Sequence, residues 1–349
     1  MIKRTRAEIS QCIIHKVANK FNSGHNAFSN EIIRFDEESY DILKNFLLKP
    51  FTSLTQSYRF LSPSTVSLTE VNNFTTWIFN DDSSFVENSK KIVNHLFEQS
   101  NSAQIKTGDV LVVHFEGIQY KEILTDAVGV FKIENKEEFL QTYLEDENFD
   151  VAVTKGISTK RIDKGCLILN TSDGEGTVVL SVDNNNYDAQ YWIKNFLNVK
   201  FADNNDLHTQ NYLQMCKEFS EEVLLRQGGK QEQATFLANT VDHFKEVESI
   251  NIEDFKTEVF EHSEYEPQFD EFKKHFEQLN DTLIRNNFEV SAAVFKKEKA
   301  KFKTDIKLDT NISIKIDVDA PEAASEYLER GYDEDKKMKF YKVFFNEEK

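Results

Sequence analysis

The feature that most constrains this chain is a succession of five short apolar, β-branched segments between residues 109 and 182. They occupy 109–115 (DVLVVHF), 120–133, 149–154, 161–169 and 177–182, and runs of this length and composition predict strands. Glu116-Gly117 and Ser172-Asp173-Gly174-Glu175-Gly176 supply turn chemistry between them, and strands joined so tightly are antiparallel. The expectation is a meander with one face covered by N-terminal helices. A further strand is expected at 6–18, centred on Cys12-Ile13-Ile14. Helices are expected at 36–48, where Ile42, Leu43, Phe46 and Leu47 recur at helical spacing, and at 83–99, with Ser83 or Ser84 as cap. Residues 50–80, rich in Ser, Thr and Asn, carry no period that assigns them.

Beyond the meander the period changes. Residues 188–198, 206–226, 231–248, 251–260 and 268–286 are helical in pattern; in the third, Ala234, Leu237, Val241 and Phe244 are spaced by three and four. Gly228-Gly229 separates the second from the third, and Pro267 marks another boundary. After about residue 290 the pattern reads as period two, with Phe302, Ile306 and Leu308 alternating with Lys303 and Lys307. Asp309-Thr310-Asn311 forms a three-residue hairpin loop. Pairing Leu308 with Ile312 sets Ile306 opposite Ile314, Phe302 opposite Val318 and Asp305 opposite Lys315. A last strand at 339–345 would extend this sheet. The expected fold is α+β: a mixed domain over 1–200, a helical segment over 201–288 and a β-rich segment over 289–349.

Composition narrows the function. With 39% hydrophobic and 29% charged residues the chain should fold rather than stay disordered. No stretch approaches the length of a membrane helix, and Glu8, Ser10 and Gln11 interrupt any signal core after the basic N-terminus, so the chain reads as cytosolic. Cys12, Cys166 and Cys216 lie far apart and read as buried free thiols. A net charge of −18 disfavours indiscriminate adhesion to nucleic acid, so contact with DNA requires a local patch.

The catalytic and metal motifs fail on spacing. His114-Phe115-Glu116 has the H-x-E of zinc deaminases without the later P-C-x-x-C, and reads as a polar strand edge. Asp183 to Asp188 opens like a calcium loop, but Asp188 stands in place of glycine and Lys194 in place of glutamate, so strand exit and helix cap is the better account. Gly228-Gly229-Lys230 lies between helices and lacks the phosphate-loop spacing. No cofactor or metal is expected. Dispersed carboxylate–lysine pairs (Asp254/Lys256, Glu271/Lys273, Asp305/Lys307) leave a metal-dependent nuclease as a minor alternative. The strongest local charge is the segment with Lys296, Lys297, Lys299, Lys301, Lys303 and Lys307. On a strand Lys297, Lys299, Lys301 and Lys303 would share one face and could follow a phosphate backbone. The competing reading pairs Lys303 with Asp317, Lys301 with Asp319 and Lys315 with Asp305 across the hairpin.

Several local sequences resemble the bacterial nucleoid-associated protein NdpA family. Ile13-Ile14-His15-Lys16-Val17 is similar to its opening strand, and Gly108 to Phe115 with 120–131 to its central hairpin. Arg161-Ile162-Asp163-Lys164-Gly165 is similar to the start of its next strand pair, and Tyr191-Trp192-Ile193-Lys194-Asn195-Phe196-Leu197 to its short helix. The order of elements covers nearly the whole chain. The resemblance implies a non-enzymatic protein of the bacterial cytoplasm and nucleoid that binds DNA or DNA-bound partners. Self-association into a homodimer would double a weak basic patch. The alternative is an acidic adaptor of DNA-processing machinery.

Overall fold

A computed structural model of the chain describes residues 2–60, 70–171, 177–185, 190–280, 282–302, 305–316 and 326–347. The fold is α+β with antiparallel sheets, and the chain divides into two compact units, Met1–Ala202 and Asp203–Lys349.

The first unit contains, in chain order, β1 (Ile2–Lys3), β2 (Glu8–Val17), α1 (Glu37–Leu48), β3 (Tyr58–Phe60), α2 (Glu70–Asn80), α3 (Phe85–Glu98), β4 (Gly108–Tyr120) and β5 (Ile123–Ile133). There follow β6 (Glu137–Glu145), β7 (Asn148–Gly156), β8 (Lys164–Leu169), β9 (Val178–Asp183), a π-helical segment Gln190–Leu197 and β10 (Val199–Phe201). The main sheet runs β1-β4-β5-β8-β9-β3-β10, with β2 also beside β4. The predicted segments at 6–18, 109–115, 120–133, 161–169 and 177–182 all fall in this sheet. The segment at 149–154 does not. It pairs with β6, which had no strand assignment, in a separate hairpin inserted between β5 and β8.

Two expectations about β4 are corrected. Glu116-Gly117 is a bulge within a continuous strand, not a hairpin turn: the register of β4 against β5 shifts between Phe115 and Ile118. The chain joining β1 to β2 crosses here, and a Cβ on Gly117 (φ +70°) would lie 2.4 Å from the Arg6 carbonyl oxygen, so glycine is required. The β4–β5 turn falls instead at Lys121-Glu122, where Tyr120 pairs with Ile123. Nor is His114 on a polar edge. It lies in the strand between β2 and β5 and is buried, 3.5 Å from Asp82 with Phe79 edge-on at 6.0 Å.

The sheet is covered on both faces. Val110 and Val112 point into a core closed by α2, α3 and the π-helical segment, through Ile78, Ile92, Leu96 and Trp192. Leu111, Val113 and Phe115 point into a second core closed by α1 and the turn after it, through Phe46, Leu47 and Phe51. Burial on both sides explains why Val110-Leu111-Val112-Val113 is continuously apolar and does not alternate. In α2 the buried Val71, Thr75 and Ile78 sit one turn apart, although Asn and Thr are poor helix formers; packing outweighs propensity there. Helix α1 is capped by Asp36, whose Oδ1 accepts from the Ser39 N–H at 2.8 Å. Before α3 the capping side chain is Asp81, accepting from the Ser83 N–H at 2.9 Å; Ser84 stands at the N-cap but its hydroxyl donates to the Trp77 carbonyl at 3.1 Å and makes no capping bond. The three cysteines are buried free thiols, and burial pushes Cys12 and Cys166 up to about 12.

His15 carries the clearest pH expectation. Its Nδ1 accepts from the Ser29 N–H (3.1 Å), which leaves Nε2–H to donate to Ser89 Oγ (2.9 Å). Burial, reinforced by the Lys90 charge, pushes the imidazole down from 6.5 to about 4. Between those values the unfolded chain holds the proton and the folded chain does not, so this contribution is complete above about pH 6.5 and lost as pH falls. Urea midpoints should drop between about pH 7 and pH 5, and His15→Gln should flatten that drop. An equally steep drop in the variant would assign it to other groups.

The second unit is built on helices Asn205–Phe219, Gly229–Glu246, Ile252–Val259 and Glu266–Asn280, close to the predicted spans. Their core is aromatic: Tyr212, Phe219, Phe236, Phe244, Phe255, Phe269 and Phe276 are all buried. Gly229 (φ +84°) makes the predicted break, and the Arg330 guanidinium occupies the space beside it, its Nη1 donating to the Gly228 carbonyl at 3.3 Å.

Candidate nucleic-acid interface

The first part of the lysine segment does not form the expected strand, although Lys307 lies in strand Asp305–Lys307. Ala292–Lys299 is a helix, because Ala, Lys and Glu favour it and because Val294 and Glu298, one turn apart, are both buried. Phe295 stacks on Phe244 at 5.7 Å, and the Ser291 N–H donates to Thr209 Oγ1 at 2.9 Å. On a helix Lys297 and Lys299 stand about 200° apart, so they cannot share one face. Period two in the lysines was alternation of polar residues alone, without the buried partners that a strand face requires.

Lys296, Lys297 and Lys301 are exposed, while Lys299 is partly covered and has a contact of its own. Lys296, Lys297 and Lys299 crowd the last helical turn, where cations complement the carbonyl end of the helix dipole. Lys301 Nζ reaches back to the buried Glu298 carboxylate at 2.6 Å. Lys303 lies outside the described residues, as do Asp317, Val318 and Asp319 in the expected register. The rest of that register holds: Asp305 pairs with Lys315, and Ile306 with Ile314. The Leu308 N–H donates to the Ile312 carbonyl at 2.8 Å, and Asn311 takes the left-handed conformation (φ +62°) that closes the three-residue loop.

The last strand also pairs differently. Met338–Val343 pairs with Leu328–Asp333 in a hairpin of its own and does not extend the sheet of residues 305–315. Both hairpins meet a small core of Ala234, Ile306, Ile316 and Leu328. On this second hairpin Lys337 and Lys339 are exposed beside Tyr332 and Phe340, which are 52% and 38% exposed. Lysines interleaved with exposed aromatics suit a phosphate backbone and the faces of bases. The sequence signal was the lysine-rich turn 336–339, which lay next to the expected strand.

A second concentration of charge is internal to the first unit. Lys132 and Lys164, 0% and 1% exposed, sit on β5 and β8. Lys132 Nζ donates to the Lys106 carbonyl at 2.6 Å, lies 2.9 Å from Glu134 Oε1 and stands 5.2 Å over the Tyr191 ring. Burial pushes its ammonium down, and Glu134 opposes that shift. Lys164 Nζ is 2.6 Å from Asp183 Oδ2. Asp163 accepts from the Glu134 N–H (2.7 Å), the Asn135 N–H (3.2 Å), Asn135 Nδ2 (2.8 Å) and Asn185 Nδ2 (3.1 Å). These bonds tie together the ends of β5, β8 and β9. Asp163, Lys164 and Tyr191 belong to segments that carry the family resemblance, and their work here is structural. Asp183 indeed ends its strand, while residues 186–189, where the helix cap was expected, lie outside the described residues.

Among the described residues no group of three or more His, Cys, Asp or Glu is placed to hold a metal ion. Of the carboxylate–lysine pairs, Lys256 bonds to Glu253 and Asp270 and not to Asp254, and Lys273 donates to Asn286. No described helix is long and apolar enough to cross a membrane. The family described as nucleoid-associated protein YejK matches residues 13–339, nearly the whole chain. No curated protein matches the sequence.

Proposed function

We propose, from the premise that this chain belongs to the YejK family of nucleoid-associated proteins, that it acts in the bacterial cytoplasm as a non-enzymatic, DNA-binding component of the nucleoid. The observation that carries this reading is the family match over residues 13–339. The lysines of the second unit supply the contact: Lys297, Lys299, Lys301 and Lys303, a run in the sequence in which Lys297 and Lys299 face apart, and Lys337 and Lys339 on the second hairpin. Two short groups on a chain of net charge −18 make a weak, non-specific and strongly salt-dependent binder.

Fluorescence anisotropy on labelled duplex DNA at several salt concentrations tests this. Affinity should fall steeply with salt, and replacing either lysine group with glutamine should flatten the slope by about 1 for each phosphate that no longer meets an ammonium group. Unchanged affinity in both folded variants would remove these lysines from the interface.

A second reading rests on the same charge. With Lys301 held by Glu298 and an excess of acid over base, the chain suits docking on a basic, DNA-bound partner. No binding to duplex at low salt, with a pull-down that survives nuclease treatment, would favour this adaptor.

A further inference from the structure

The hairpin β6–β7 is the most anomalous surface of the first unit. No residue of either strand is buried, and among the described residues the two strands pair only with each other. A two-stranded hairpin that leaves both faces largely exposed is marginal in water. Its register separates two unlike faces. One carries Phe139, Gln141 and Tyr143 opposite Thr154, Ala152 and Asp150. The other carries three cross-strand pairs, Leu140–Val153, Thr142–Val151 and Leu144–Phe149, with no charge among them. Leu140 is 76% exposed, Leu144 63%, Phe149 82%, Val151 54% and Val153 63%. Asp146 and Glu147, both with positive φ, make the two-residue turn that holds this register, so the apolar face is a fixed feature of the hairpin.

We propose that this face is a self-association surface, covered by the same face of a second copy of the chain. Three properties select a second copy as the occupant. First, a twofold pairing is self-complementary, and stacking two such faces makes a four-stranded sandwich with an apolar interior. Second, the area suffices: five side chains at these exposures present on the order of 600 Å² per copy, or on the order of 1,200 Å² across the pair, the lower end of what specific interfaces bury. Third, the charge permits it. The face is bounded at one end by Glu138 and Lys155, an ion pair at 3.1 Å, and at the other by the acidic turn Glu145-Asp146-Glu147, so copies that stack antiparallel set the acidic turn of each over the Glu138–Lys155 end of the other and keep the two turns apart. The inference goes beyond the DNA-binding reading and does not depend on it.

Sedimentation velocity of the full chain between about 1 and 100 µM decides the matter, these limits spanning micromolar affinity. The expected result is a species of twice the 40.6 kDa chain mass. Leu144→Glu/Phe149→Glu should weaken association about 100-fold or more while leaving the far-ultraviolet circular dichroism unchanged. Because the three native cysteines are buried, a Thr142→Cys chain under mild oxidation should give a disulfide-linked dimer through the middle of the face, whether or not the charged variant folds. A chain that stays monomeric throughout overturns the proposal. So does a dimer that survives the double substitution, or one that Thr142→Cys fails to trap.

Discussion

Replacing Lys132 with methionine is expected to destabilise the first unit by about 3–5 kcal/mol, because it leaves the Glu134 carboxylate without its cation. Both side chains are fully enclosed, so water cannot replace the missing partner. The Lys106 carbonyl loses the Lys132 donor at the same time. Methionine fills most of the volume, so the loss is electrostatic and not a cavity. The double variant Lys132→Met/Glu134→Gln removes both charges and should recover more than half of the deficit; a double-mutant cycle by urea unfolding measures the coupling. A single substitution that costs less than about 1 kcal/mol would show that the pair is not energetically buried.

Phe219→Ala should have a comparable effect in the second unit, about 3–5 kcal/mol, with a loss of about 10 °C in its unfolding transition. The Phe219 ring lies 5.6, 5.8, 5.1 and 5.5 Å from the rings of Phe236, Phe260, Phe269 and Phe272, edge-to-face in each case. Alanine removes the ring that all four touch, and neighbours fixed in Gly229–Glu246, just past Ile252–Val259 and in Glu266–Asn280 cannot close on the space together. Each unit has its own core, so calorimetry should show the loss in one transition and not in the other. A shift below about 1 kcal/mol would mean that the aromatic cluster repacks freely.

Much of the fold was legible because its signals are local. The helices at 36–48, 83–99, 206–226 and 231–248 carry their own periodicity, and the strands their own β-branched runs. The hairpin closed by Asp309-Thr310-Asn311 was legible down to the Asp305–Lys315 and Ile306–Ile314 pairs, since a short loop dictates register. The candidate interface was less so. The lysines were visible as a cluster, but alternation in charge is not alternation in burial, and only burial distinguishes a strand face from a helix. Helix Ala292–Lys299 owes its face to Val294 and Glu298, which the lysine pattern concealed.

The sequence by itself determined the class of the fold, the positions of most elements, the buried thiols and the family. Tertiary structure decided what those elements meet. It made Glu116-Gly117 a bulge, because the chain near Arg6 crosses at Gly117. It buried His114 between two strands, enclosed Lys132 and Lys164 with their carboxylates, and left Leu144 and Phe149 uncovered at the end of their hairpin. Each of these outcomes depends on contacts between residues distant in the chain, and local propensity carries no information about such contacts.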